Sequence, residues 1–122
     1  MDRLQILRAR TNIMAYNEKL AQRVRRYFTD RDDIDERKMF GGLAFMIAGH
    51  MCVGIVDDDL MARVGPDNYQ DCLSRKYVRL MDFTGRPLKG FIFVDPDGIK
   101  TDAALHEWIS LCESFVFSLP PK

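Results

Sequence analysis

The residues that could do chemistry are few and poorly grouped. His50 and Cys52 are the nearest pair of a base and a nucleophile. They are only two positions apart, beside a predicted turn, and no flanking motif would aim the thiol at the imidazole. The other histidine, His106, lies alone on the flank of a predicted helix. We therefore predict that the chain is not an enzyme and has no catalytic residues.

The sequence indicates no metal or cofactor site. Cys52, Cys72 and Cys112 are far apart and form no CxxC pair, so we expect reduced, buried thiols. The consecutive carboxylates of Asp57-Asp58-Asp59 lack the alternating spacing and central glycine of a calcium loop. Gly41-Gly42 lacks the lysine and hydroxyl residue of a phosphate loop. We expect neither a bound metal nor a cofactor.

Basic side chains are concentrated at the beginning of the chain. Residues 1–26 hold seven Lys or Arg and two acidic residues, a net charge of +5. A helix there would present Lys19, Arg23 and Arg26 to a nucleic acid. The whole chain, however, has 18 basic and 18 acidic residues, whereas proteins that neutralise phosphates usually carry excess positive charge. Direct nucleic-acid binding is therefore the alternative interpretation and not the leading one.

Length and composition fit one folded domain. The chain has 122 residues, of which 47% are hydrophobic and 30% charged, and this is enough to bury a core without metal or disulfide support. No apolar run is long enough to span a bilayer, and the first residues lack the apolar core of a signal peptide. We expect a cytoplasmic protein without membrane contact, with an extension at 1–13 and a domain at 14–122.

The patterning predicts an α+β fold. Asn17 is a candidate N-cap for an amphipathic helix over about 17–29, and Thr101 is one for a final helix that includes Trp108. A short helix is expected over 67–74, directly after Gly65-Pro66. Short apolar runs between turn residues indicate strands within 37–64, 78–83 and 90–94. We expect an antiparallel sheet of five to six strands, two main helices and one short helix.

Both faces of the central hairpin are apolar. Strand alternation sends Phe45 to one face, and Ala44, Met46 and, from the next strand, Cys52 to the other. Two helices on one side of a sheet leave its second face open. The short helix, the segment before the domain, or a second copy could cover that face. We favour a homodimer, with Ala44, Met46 and Cys52 as the candidate interface.

Several ordered groups of residues resemble the N-terminal domain of the TfoX/Sxy family. They are Arg37, Lys38, Met39, Phe40, Gly41 and Gly42, then Arg63-Val64-Gly65-Pro66, then Gly85-Arg86-Pro87-Leu88-Lys89-Gly90, and finally Trp108. The resemblance implies helices over a curved antiparallel sheet, a two-layer architecture similar to that of type III secretion chaperones. We interpret the glycine and proline positions as architectural, because these residues set backbone geometry far more often than they catalyse.

The resemblance also carries a functional expectation. The family is named for regulators of natural competence, which act with a transcription factor of the cyclic-AMP receptor protein type and carry a second, C-terminal domain. This chain resembles a single-domain member that lacks it. We expect a non-enzymatic protein-interaction or regulatory accessory domain whose partner is a protein such as a transcription factor. The alternative is direct nucleic-acid binding through the basic first helix.

Overall fold

The computed structural model describes residues 16–39, 41–82, 87–120 and 122. The predicted extension at 1–13, Phe40, Gly85 and Arg86 lie outside these residues. The elements in chain order are α1 (Glu18–Tyr27), β1 (Ile34–Met39), β2 (Gly42–Ile47), β3 (His50–Val56), β4 (Asp59–Arg63), α2 (Tyr69–Leu73), β5 (Val78–Asp82), β6 (Pro87–Val94), a 3-10 turn (Pro96–Ile99) and α3 (Asp102–Phe117).

The strands form one six-stranded antiparallel sheet with the order β1-β2-β3-β4-β6-β5. The helix α3 packs on β3 and β4, and α1 packs against α3. The predicted α+β class, the strand number and the two main helices with one short helix are confirmed. The likeness to secretion chaperones stays a prediction.

Both predicted N-caps are present. The Asn17 side-chain oxygen accepts a hydrogen bond from the Leu20 amide at 3.1 Å, and the Thr101 hydroxyl accepts one from the Ala104 amide at 3.1 Å. Each cap satisfies a backbone N–H that has no partner within its helix. Local sequence therefore fixes where α1 and α3 begin.

The sheet carries two apolar clusters, one on each face. The front cluster joins Phe45, Leu60 and Ile92 of the sheet to Leu105 and Ile109 of α3. The rear cluster consists of side chains that are at most 8% exposed. Its members are Ala44, Met46, Met51, Met61, Met81 and Phe93.

The expectation that two helices leave the rear face open, on which the preference for a second copy rested, is wrong. The rear cluster is already buried within a single chain. One reason is that Met61 folds over its neighbour in β3, where a Cβ added to Gly54 would lie 2.3 Å from the Met61 methyl carbon. Long, unbranched methionines fill such irregular space well. The homodimer itself stays a prediction, without this support.

The placement of Cys52 with Ala44 and Met46 is also wrong. Phe45 pairs with Val53 and Met46 with Met51, so β3 holds one extra residue at this point. Such a β-bulge shifts the alternation of side chains along the strand. Cys52 and Val53 consequently both belong to the front cluster.

The Gly41-Gly42 pair has two different structural roles. Gly41 has a φ of +74°, a conformation that favours glycine, in the turn between β1 and β2. A Cβ at Gly42 would lie 1.9 Å from the backbone oxygen of Ile55 in the adjacent strand β3. The first position needs a backbone angle, and the second needs the absence of a side chain.

We expect Met61→Ala to lower the free energy of unfolding by about 2–5 kcal/mol, because it opens a cavity in a rear face that the chain itself seals. Urea unfolding measured at two protein concentrations checks this. The control Leu80→Ala, at a side chain 47% exposed, should change little. A Met61→Ala effect that grows with protein concentration would instead place the rear face in an interface between copies.

Candidate protein-interaction site

A groove with a volume of about 560 Å³ lies between the start of β1, the β2–β3 turn and the end of α3. Its surface combines two kinds of side chain. The apolar ones are Ile34, Met46, Ile47, Val116, Phe117 and Leu119, and the acidic ones are Asp32, Asp33 and Asp35. An apolar floor with charge of one sign at the rim is typical of a surface that binds another molecule.

The most prominent apolar side chain of the groove is Phe117. It is the last residue of α3 and is 61% exposed, more than the other large exposed hydrophobic residues, Tyr77, Leu80 and Leu88. A phenyl ring left in water at the mouth of an apolar groove forgoes burial worth about 1.5–3 kcal/mol. Its exposure favours a role in contact with a partner.

Arg31 fixes the acidic wall of the groove. Its Nε and Nη2 atoms donate to the two oxygens of Asp33 at 2.8 and 2.9 Å, and its Nη1 atom donates to Glu113 Oε2 at 2.9 Å. The hydrogen bond from Arg31 lowers the pKa of the Asp33 carboxyl. The bidentate pair fixes Asp33 on Arg31 within the α1–β1 segment, and the Arg31–Glu113 bond holds that segment against α3.

Glu113 is the buried anchor of this arrangement. The residue is only 9% exposed in an otherwise apolar interface. Besides Arg31, it accepts a hydrogen bond from the Tyr27 hydroxyl at 2.7 Å. Burial, and then this hydrogen bond, raise the pKa of Tyr27 to about 12. A buried carboxylate needs such partners, so Tyr27, Arg31 and Glu113 form one unit.

Arg31 does not neutralise the other two acidic side chains of the groove, Asp32 and Asp35. Asp35 forms a long ion pair with Arg37, at 3.8 Å, and both side chains are exposed. Such a pair contributes little binding energy and neutralises the charge of Asp35 only weakly. Asp32 has no ion-pair partner among the residues that the structure describes. Asp32 and Asp35 therefore give the groove rim a negative potential that Arg31 does not cancel.

The end of the chain returns to the β2–β3 turn beside the groove. His50 Nε2 donates to the Pro120 carbonyl at 2.6 Å, and the Lys122 amide donates to the Ala48 carbonyl at 3.2 Å. His50 Nδ1 is buried without a hydrogen-bond partner in the described part of the chain. His50 is thus committed to holding this turn against the C-terminal residues.

Cys52 is poorly suited to act as a nucleophile with His50. Its side chain is fully buried in the front cluster, and burial raises the pKa of the thiol to about 12. The reactive form of cysteine is the thiolate, which a raised pKa disfavours. Cys112 is likewise buried, and desolvation raises its pKa.

The three basic residues considered for nucleic-acid contact do not form one free surface. Arg23 Nε donates to Asp102 at 3.1 Å and its Nη2 to the Ile99 carbonyl at 2.7 Å, so this residue ties α1 to the start of α3. Lys19 and Arg26 are exposed. Within the described chain they have no ion-pair partner. Only two of the three candidates remain available to a phosphate backbone.

Comparison with protein families shows that residues 26–116 match the TfoX N-terminal domain. This span includes the whole sheet, α2 and nearly all of α3. The chain belongs to the TfoX N-terminal domain family. No curated protein and no solved structure matches the chain.

In this TfoX N-terminal domain the quoted motifs lie on several elements. Arg37 and Lys38 are exposed on the edge strand β1, and Met39 packs partly against the rear cluster. Trp108 is 8% exposed in the front cluster, with the Arg75 guanidinium 5.1 Å from its ring centre. These placements put the β1 motif and Trp108 on different parts of the fold.

The chain leaves β4 through Gly65-Pro66, and the backbone conformation at Gly65 favours glycine. Gly65 has a φ of +87°, and a Cβ there would meet the Phe115 ring at 2.4 Å. Pro66 is exposed, in the segment between β4 and α2.

Sequence reasoning missed Glu113 and Phe117. The helical periodicity of α3 places Phe115 and Val116 on the apolar face, but it cannot show that Glu113 is buried with them or that Phe117 remains exposed. One signal was present: acidic residues are dense between Asp30 and Glu36, and this stretch supplies the rim.

In the described residues, no helix is long and apolar enough to cross a membrane, and no group of three or more His, Cys, Asp or Glu is placed to hold a metal ion.

We expect Tyr27 to ionise near pH 12, two units above the ordinary value for tyrosine. Because the folded-state pKa is raised, stability is unaffected below about pH 10 and falls as the pH rises from about 10 to 12. A tyrosinate absorbance titration checks this, with Tyr27→Phe removing the late component. A titration of the parent protein without any component above pH 11 would mean that the Tyr27–Glu113 contact is not kept in solution.

Proposed function

We propose that this TfoX N-terminal domain binds a basic, apolar segment of a partner protein in the groove beneath Phe117. It acts in this way as a non-enzymatic accessory domain for a regulatory protein such as a transcription factor. The observation that carries the proposal is the exposed Phe117 ring at an apolar groove whose rim bears Asp32 and Asp35.

The two kinds of side chain would divide the task. Burial of Phe117 and the apolar floor supplies the affinity, since aromatic side chains in a desolvated centre dominate most interfaces. The carboxylates of Asp32 and Asp35 select a partner of positive charge and speed its approach. A peptide with alternating apolar and basic side chains meets both requirements.

The groove is also prepared for binding. The ion pairs of Arg31 with Asp33 and Glu113 join the rim to α3 before any partner arrives. The Arg31 guanidinium also lies 6.0 Å from the centre of the Phe117 ring, which favours one position of that ring. A preorganised surface loses less entropy on association.

The same features disfavour nucleic acid as the occupant of the groove. A rim of carboxylates repels phosphates, and Arg23 is held by Asp102. Arg25 similarly lies between Glu18 and Glu36, at 2.8 and 2.7 Å. Of the three basic residues considered on α1, Lys19 and Arg26 remain for nucleic-acid binding, the alternative that the experiment must distinguish from peptide binding.

Fluorescence anisotropy with a labelled peptide of alternating lysine and leucine tests the proposal. We expect saturable binding that weakens as salt is added. The Phe117→Ala variant should bind the peptide at least about tenfold more weakly than the parent protein does. Leu80→Ala is the matched control, because it removes an exposed apolar side chain outside the groove. A peptide with glutamate in place of lysine should not bind.

The charge of the rim is tested separately. Asp32→Asn with Asp35→Asn should weaken binding of the lysine–leucine peptide and reduce its salt dependence. Lys19→Gln with Arg26→Gln should leave it unchanged. Equal binding of the two peptides, or no effect of Phe117→Ala, would contradict the proposal. Retention of a single-stranded oligonucleotide that is lost in the Lys19→Gln, Arg26→Gln variant would support the alternative.

A further inference from the structure

Two of the family motifs meet at a small cleft that the proposed function does not use. Arg63 ends β4 and Gly65 follows it, while Lys89 and Gly90 come from β6, the next strand in the sheet. Together with the rings of Phe91 and Phe115 they line a cleft of about 90 Å³. Two basic side chains therefore line one small cleft.

The Arg63 guanidinium lies close to both aromatic rings. Its central carbon is 5.3 Å from the centre of the Phe91 ring and 5.4 Å from that of the Phe115 ring. Contacts with two rings orient the planar group, whose remaining N–H groups can donate at its edge. A guanidinium that is oriented in this way can bind a planar or tetrahedral oxyanion through hydrogen bonds.

Arg63 has no counter-ion in the described part of the chain, where no carboxylate lies within 4 Å of it. Its hydrogen bond to protein is a long one, from Nη1 to the Met51 carbonyl at 3.4 Å. Burial lowers the pKa of Arg63, and no carboxylate opposes the effect. A guanidinium that has lost water without gaining a carboxylate carries an electrostatic cost that a bound anion would offset.

The backbone brings the two cations together. Gly90 has a φ of +92°, and its carbonyl accepts hydrogen bonds from the Val64 and Gly65 amides at 2.9 and 3.1 Å. A Cβ at Gly90 would lie 3.3 Å from the Gly65 carbonyl carbon. The glycines of both motifs thus allow the close approach that places Arg63 and Lys89 on one cleft.

We propose that this cleft binds a single phosphate group, with Arg63 and Lys89 as its ligands. Their two positive charges match a phosphate, which carries about −1.5 to −2 charges near pH 7. Pockets that bury a ligand as large as a nucleoside measure about 300 Å³ or more. This cleft, at about 90 Å³, is too small for one. The phosphate is therefore either the free ion or the end of a small phosphorylated molecule.

Isothermal titration calorimetry at constant ionic strength, in a buffer without phosphate, tests this. The probes are inorganic phosphate, O-phosphoserine and acetate. We expect one saturable phosphate site, with acetate binding at least about tenfold more weakly. If O-phosphoserine binds as well as inorganic phosphate, the site takes the end of a larger molecule, and if it does not, the site is specific for the free ion.

The variants separate binding from folding. Lys89→Gln changes an exposed side chain and should weaken phosphate binding by about tenfold, the loss of one charge-assisted contact. Arg63→Lys keeps the charge but loses the planar donor group, so it should also weaken binding. Lys76→Gln, at an exposed lysine outside the cleft, is the matched control. Absence of saturable binding, acetate binding equal to that of phosphate, or an unchanged affinity in Lys89→Gln would overturn the proposal.

Discussion

A carboxylate that is buried in an apolar interface must be supplied with hydrogen-bond donors, and Glu113 takes both of its donors from the α1–β1 region. Tyr27 comes from the end of α1, and Arg31 comes from the loop that follows. This requirement sets how α1 lies on α3 and where the loop runs. Because Arg31 also forms an ion pair with Asp33, the need to satisfy Glu113 also positions the acidic wall of the groove. The packing of α1 on α3 and the shape of the groove therefore both depend on Glu113 and its hydrogen-bond donors.

The two candidate sites lie at the same end of the sheet. The strands β3 and β4 are antiparallel, so the end of β4 at Arg63 is next to the start of β3, and Arg63 reaches the Met51 carbonyl there. The last turn of α3 contributes Phe115 to the cationic cleft, and Val116 and Phe117 to the acidic groove. One helix end therefore separates two pockets of opposite charge.

The sequence predicted the features that depend on neighbouring residues. The caps of α1 and α3, the turns and the apolar strands are local, and each was readable from spacing. Features that depend on distant partners were not readable. The bulge at Cys52 arises from pairing with β2, and the neutralisation of Arg23 by Asp102 joins residues that are far apart in the chain. The burial of the rear face likewise depends on how Met61 packs across the ladder, which alternation alone does not describe.

The contacts of Pro120 and Lys122 with the β2–β3 turn have a practical meaning for handling this protein. An affinity handle or fluorescent fusion attached after residue 122 would emerge at the mouth of the acidic groove and compete with any ligand there. Polyhistidine would be a particularly poor choice, since its imidazoles become cationic at mildly acid pH and would be drawn to the aspartates. Surface immobilisation through that terminus would hide the same region from soluble partners.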